Sequence, residues 1–377
     1  MDAFRIARPF LFALEPERAH NVGLSLMRFA SKITAEPTPV ETALGQLANP
    51  LGLAAGYDKT GSHLQNLARL GFGYIVAGTF TLSPWRGNPK PRVARNQKDK
   101  TLVNALGFPN PGIGAFVGTL SSQGALGIPL VASISGKTVE DVVGCYSKVQ
   151  QHVAGVELNL SSPNTPNLRD LREPAAFADL AQALRDVKAK PTYLKTPPYL
   201  DEAQFDGVMG LVKKWESLGF EGVTASNSIP VEDARMAVGK GGWSGPPLFD
   251  HTTAAVERIR KSVGRSFEVN ACGGIRKRSA VVPVASDRRK VTSEMTSVLS
   301  ASLSPGTSTG TRVLGSHNLP ALSRQLSSVT RTWVPRPALR AASHCAFEIV
   351  KGCGSCACSV TRYFSRCRGT FTSLAVK

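Results

Sequence analysis

Long hydrophobic runs are missing from this 377-residue chain, and with them any membrane-spanning helix. No run approaches the ~18 consecutive apolar residues that such a span needs. The opening MDAFRIARPFLFAL carries Asp2 and lacks a signal-peptide cleavage pattern, and it lacks the Arg- and Ser-rich character of an organelle transit peptide. The expectation is a cytoplasmic chain able to rest on a membrane. Cysteine is sparse before residue 276, where Cys145 and Cys272 stand apart, as isolated thiols of a reducing compartment do. No His/Cys/Asp cluster has metal spacing. Cys353 and Cys356, with Cys358, His344 and Cys345 nearby, form one Cys-x-x-Cys without a second spaced pair, a weak zinc signal.

Acidic residues also run short, 27 against 45 Lys and Arg, for a net charge of +18. Such an excess invites a nucleic-acid reading, but its location argues otherwise. From Arg276 onward there are about 16 basic and about 3 acidic residues, leaving only about +5 for the first 275. No aromatic platform or RNA-binding motif accompanies the charge, so nonspecific contact with RNA or acidic lipid is the most it supports.

What is present is an alternation. Residues 1–35 read as helical, with Phe4, Phe10, Leu11 and Leu14 on one face and a second helix starting at Pro16-Glu17. Val22, Leu26, Phe29 and Ile33 continue the helical spacing. This pair is either plain packing on a larger domain or an apolar funnel at a membrane surface. Strand candidates follow at 51–55, 74–78, 129–134, 155–160, 192–196, 222–226 and 267–272. Amphipathic segments at 139–152, 173–188, 203–218 and 252–263 lie between them. Seven buried strands alternating with helices predict an α/β TIM barrel rather than an open doubly wound sheet.

An eighth unit should follow Ile275 and does not. Ser and Thr rise to about a quarter of residues 276–377, and no segment reads as a buried strand with a phosphate-binding turn. The expectation is a barrel lacking its eighth β/α unit, followed by an aberrant, basic, disordered tail. A shifted reading frame or an aberrant gene model would produce such a change of texture.

Functional residues of a TIM barrel sit just after its strands. Those positions hold Ala55-Gly56-Tyr57-Asp58-Lys59, Gly78-Thr79, Asn104-Ala105-Leu106-Gly107-Phe108, Asn159 to Pro166, Lys195, Ser226-Asn227-Ser228, Gly241 to Gly245, and Gly273-Gly274. Asn offers both a donor and an acceptor to a planar ligand. Lysines without an acidic cluster suit an anionic substrate or an electron-rich cofactor. Glycines let backbone N–H groups approach a phosphate or a ring. One Asn alone is most simply a turn residue; four at successive strand ends point to a site.

The run Asn159-Leu160-Ser161-Ser162-Pro163-Asn164-Thr165-Pro166 closely resembles the signature of dihydroorotate dehydrogenases, and the other strand-end motifs match that family in order. Arg8 to His20 resembles the N-terminal helices of its quinone-dependent class. The resemblance covers about residues 1–275. It implies FMN as cofactor, dihydroorotate oxidised to orotate, and a membrane quinone as final acceptor, in pyrimidine biosynthesis. Ser162 stands at the position of the base. Lys59, Asn104, Ala105, Leu106, Gly107, Phe108, Asn159, Asn164, Asn227 and Ser228 match substrate-binding positions. Ala55, Gly56, Tyr57, Asp58, Lys59, Thr79, Ser133, Asn159, Lys195, Ser226, Gly245, Gly273 and Gly274 match cofactor-binding positions. Thr165 is a candidate proton relay, and Arg95 and His20 match positions associated with the quinone passage.

Two departures stand out. Ser133 replaces an Asn that many members carry at the flavin, and a hydroxyl still hydrogen-bonds there. The Tyr-Thr pair that ends the family's eighth strand and helps hold the FMN phosphate has no match after Ile275. The resemblance thus implies a membrane and quinone-access extension over 1–40, an FMN-binding barrel over 41–275, and the unmatched tail over 276–377. It implies a peripheral protein on the cytoplasmic face of the cell membrane. The competing expectation is an inactive, misfolded, frameshift-like product.

Overall fold

Seven short runs of branched and small apolar residues form the parallel strands of a barrel wall. They are β1 (Leu51–Leu53), β2 (Tyr74–Phe80), β3 (Leu130–Ile134), β4 (Gly155–Asn159), β5 (Thr192–Lys195), β6 (Gly222–Ala225) and β7 (Glu268–Ala271). This is a computed structural model, and it describes residues 3–33, 37–161, 170–275, 360–364 and 374–376. Each of the seven pairs in parallel register with the next, Ser133 with Glu157 and Asn159 with Lys195 among them. Parallel strands need crossovers, and helices supply them: α3 (Leu64–Ala68), α4 (Ile113–Ser121), α5 (Val139–Val149), α6 (Pro174–Val187), α7 (Glu202–Ser217) and α8 (Leu248–Ser262). Thr138 and Asp201 cap α5 and α7, each side chain accepting a backbone N–H in the first turn.

The two faces of the wall separate cleanly. Val156, Leu158, Leu194 and Val223 turn outward into one large core with Leu180, Leu184, Val212 and Trp215 of the helices. Tyr74, Val76, Val131, Tyr193 and Cys272 turn inward. A hairpin of Val40–Thr42 and Gly45–Leu47 closes the bottom, putting Val40 and Leu47 into that inner cluster. Glu268 pins the hairpin: its carboxylate accepts from the Ala43 N–H at 2.7 Å and from the Tyr193 hydroxyl at 2.9 Å.

At the opposite end, the segments after β2 and β6 pair into a four-stranded antiparallel sheet. It runs in the order Ile229–Glu232, Lys240–Ser244, Thr101–Asn104, Val93–Asn96. The N-terminal helices α1 (Ala3–Ala13) and α2 (Pro16–Leu26) are tied to this sheet. Glu17 pairs with Arg92 at 2.6 Å and Lys90 at 3.1 Å. The Arg95 guanidinium donates to the Leu11 and Leu14 carbonyls and lies 4.9 Å from the Phe12 ring centre. Phe10 and Phe29 remain 73% and 72% exposed, with Leu14, Val22 and Leu26 also exposed.

The TIM barrel short of its eighth β/α unit matches expectation: among the described residues, no helix follows β7 and no strand-and-helix unit completes the wall. The sequence shows no strand after Ile275, yet two short ones bridge the open edges, β8 (Val360–Phe364) and β9 (Leu374–Val376). β8 meets β7 antiparallel through two residue pairs, β9 meets β8 antiparallel, and β9 meets β1 in parallel. The run Val-Thr-Arg-Tyr-Phe favours extended backbone, and unpaired strand edges take up whatever such segment is offered. The expected disorder of 276–377 otherwise concerns residues outside those described.

Candidate active site

Strand alternation turns every second residue into the barrel, and near the upper ends of the strands those residues are polar. Asn159 and Ser161 follow that parity from β4, Ser133 from β3, Lys195 from β5 and Cys272 from β7, while Thr79 sits at the register shift after Gly78 of β2 and Asn227 lies beyond the end of β6. All seven are buried. They form one connected chain. Asn227 Nδ2 donates to Ser161 Oγ at 2.8 Å, and Ser161 Oγ donates to Asn159 Oδ1 at 2.9 Å. Asn159 Nδ2 donates to Thr79 Oγ1 at 2.9 Å. Thr79 and Ser133 share a hydroxyl bond of 3.0 Å, and Ser133 Oγ donates to Glu157 Oε1 at 3.1 Å. Glu157 lies 3.8 Å from Lys195 Nζ, which lies 3.9 Å from Cys272 Sγ.

Burial works against the charge of Lys195, but Cys272 and Glu157 beside it outweigh that and hold the ammonium above its ordinary proton affinity. Cys145, on α5 behind the wall, shows the opposite setting: burial, with Asp141 adding repulsion, pushes its thiol up to about 12. It is a packing residue, not a nucleophile.

The remaining sequence-derived positions fall into two groups. Some shape the mouth. Ala55 lies in the inner cluster, Gly56 donates to the Gly78 carbonyl at 2.7 Å with φ +103°, and Lys59 is half-buried on the same loop. The Asp58 carboxylate accepts from the N–H groups of Thr60, Gly61 and His63, so it braces its own loop. The buried Tyr57 carbonyl meets His20 Nε2 at 2.8 Å, joining α2 to the mouth. Ser226 N–H donates to the Cys272 carbonyl, and Ser228 N–H to Asn227 Oδ1.

Others sit on the antiparallel sheet. Asn104 Nδ2 donates to the Gly242 carbonyl at 3.3 Å, and the buried Ala105 donates to the Arg92 carbonyl. Leu106 packs on Val93 and Leu102, and Phe108 packs against the main core. Gly107 has φ +65°, and a Cβ there would meet Asn88 Cγ at 2.8 Å, so only glycine fits. Gly245 lies against Lys100 and Thr101 of the same sheet. Gly273 and Gly274 pack on α8, where a Cβ on Gly274 would stand 2.1 Å from the Phe249 nitrogen. Ser162, Asn164 and Thr165 lie outside the described residues.

A family model described as dihydroorotate dehydrogenase matches residues 40–281. The chain belongs to the dihydroorotate dehydrogenase family. Relatives named dihydroorotate dehydrogenase (quinone) agree. That of Aromatoleum aromaticum is 34% identical over 72% of this chain and 84% of its own length. That of Acinetobacter baylyi is 35% identical over 72% of this chain and 88% of its own length. The fold is shared with a ligand-free DHODH from Eimeria tenella, with a TM-score of 0.62 at 24% identity, covering 70% of this chain and 84% of the other.

Dihydroorotate dehydrogenases are flavin-dependent as a family, and the residues present fit a flavin. The donor set of Lys, Asn, Ser and Thr suits its electron-rich edge. Asn270 Oδ1, inside the barrel and buried, has no hydrogen-bond partner among the described residues. An imide or hydroxyl donor of a bound ring would satisfy it. Glu157, Asn270 and Cys272 escaped the sequence reading, and Ser161 entered it only as part of the strand-end motif, without a role of its own. Alternation along β4 and β7 was the signal that could have found the inward three, since Glu157, Asn270 and Cys272 share the inward parity of Asn159.

Proposed function

We propose that this chain oxidises dihydroorotate to orotate with FMN as hydride acceptor and passes the electrons to a membrane quinone. The observation that supports the reading is the buried polar chain from Asn227 through Asn159 to Lys195, which joins the residues here given the roles of substrate contact and flavin contact. Bound FMN would accept hydride from C6 of the substrate. Asn104, Asn159, Asn164 and Asn227 hold the pyrimidine ring and its carboxylate. Their amides read both donors and acceptors. Lys59, with its positive charge, neutralises an anionic ligand at the mouth. Ser162 accepts the C5 proton, and Thr165 passes it toward solvent, because a serine hydroxyl is a weak base without a relay. Lys195 places a fixed cation where negative charge develops on reduction.

The exposed rings of Phe10 and Phe29, beside Leu14, Val22, Leu26 and the cations Arg8 and Arg28, suit helices that lie in a lipid interface. On this reading residues 1–40 form the quinone-access extension, 41–275 the flavin barrel, and the protein is peripheral on the cytoplasmic face. No described helix is long and apolar enough to cross a membrane.

Replacing Ser162 with Ala tests the chemistry. Flavin reduction by dihydroorotate should nearly cease while flavin stays bound, because only one small hydroxyl is lost. An unchanged stopped-flow trace would remove Ser162 from the role of base. A second reading, an inactive chain, draws on the antiparallel closure at β8 and β9, which replaces the eighth β/α unit whose loop commonly completes a barrel phosphate site. A purified protein that neither carries nor takes up FMN would favour it.

A further inference from the structure

Glu157 lies on β4 between Val156 and Leu158, both of which pack outward, so its side chain points into the barrel. It is 3% exposed. A buried carboxylate is unfavourable unless it is paired and hydrogen-bonded. One of its oxygens meets both needs, accepting from Ser133 at 3.1 Å and facing Lys195 Nζ at 3.8 Å. Lys195 is itself 1% exposed. Its other neighbour, the Cys272 sulfur at 3.9 Å, is a weaker acceptor than a carboxylate.

Resting on the reading that puts Lys195 at the flavin, we propose that Glu157 is a positioning residue that keeps the Lys195 ammonium charged and aimed. It also connects that cation, through Ser133 and Thr79, to the substrate-gripping Asn159. Without Glu157, Cys272 alone is left beside the lysine to oppose burial, and a buried lysine loses proton affinity readily.

The test uses the full chain, labelled with carbon-13 at the lysine Cε and followed by NMR titration, with Lys195→Met to assign the signal. Glu157→Gln preserves shape and can still accept from Ser133, but removes the charge. Wild-type Lys195 should stay protonated across roughly pH 7 to 10, a range below the ordinary lysine midpoint. In Glu157→Gln it should lose its proton within that range, a loss of proton affinity of at least tenfold. Glu157→Asp, with the carboxylate drawn back by one methylene, should fall between the two. A folded Glu157→Gln with an unmoved Lys195 titration overturns the proposal. If that variant does not fold, an unmoved titration in Glu157→Asp overturns it instead.

A second arm separates the reading beneath. In FMN-loaded protein, Lys195→Met should lower the flavin midpoint potential. If the NMR titration moves with Glu157 while Lys195→Met leaves the potential unchanged, the flavin assignment of Lys195 fails. The functional half of the proposal falls with it, and the charge link alone stands.

Discussion

Glu268 should give the barrel a stability that falls as pH rises through neutrality. Its carboxylate sits at the sealed bottom of the barrel, 5% exposed. Burial, with Glu221 adding repulsion, outweighs the donors from Ala43 and Tyr193 and raises the group from 4.5 to about 7. The folded protein therefore binds this proton more tightly than the unfolded chain does. The contribution is complete below about pH 4.5 and is lost as pH climbs through about 7. A gap of about 2.5 units at 1.36 kcal/mol per unit gives roughly 3 kcal/mol. Glu268→Gln cannot ionise, so its stability relative to wild type should improve by about that amount between acid and mildly alkaline pH. Urea unfolding of both proteins from about pH 5 to 8.5 measures the difference directly, with other titrating groups cancelling. A wild-type-to-variant difference that stays constant across that range would mean that Glu268 does not change its protonation there.

Serine in place of both Phe10 and Phe29 should weaken binding to anionic vesicles by at least tenfold, taking about 1.5 kcal/mol or more for each buried ring. Flavin reduction by dihydroorotate should be unaffected, since neither ring reaches the barrel interior. Vesicle sedimentation beside stopped-flow reduction checks both, and equal loss of the two would make the helices plain structural support. Replacing residues 276–377 with a parallel eighth strand and its helix should raise FMN retention and melting temperature. If the chain as it stands holds FMN equally tightly, β8 and β9 already complete a working barrel.

The wall of the barrel was legible because its short strands are buried throughout and recur between helices long enough to carry a period. The runs at 155–160 and 192–196 became Gly155–Asn159 and Thr192–Lys195, and the segment 203–218 became Glu202–Ser217. The antiparallel sheet over the mouth was not, because strands such as Ile229–Glu232 lack a continuous buried run, with Pro230 and Gly241 interrupting any apolar pattern. They are specified by one another rather than by local pattern. Asn, Lys and Thr at strand ends announced themselves through their position after buried runs. Glu157 did not, because a single acid inside Gly-Val-Glu-Leu-Asn-Leu is read as part of the strand until its neighbours across the barrel are known. The strands at 360–364 and 374–376 gave no signal above the Ser- and Arg-rich sequence around them, and their pairing comes from the open edges they meet.

This barrel, despite its unmatched last quarter, should hold a flavin and reduce it with dihydroorotate. Anaerobic addition of dihydroorotate to the purified chain, after incubation with FMN and removal of the excess, tests it in one spectrum. Stoichiometric flavin absorbance should appear and bleach on addition, with one equivalent of orotate formed. A colourless protein, or a bound flavin that dihydroorotate leaves oxidised, would contradict it.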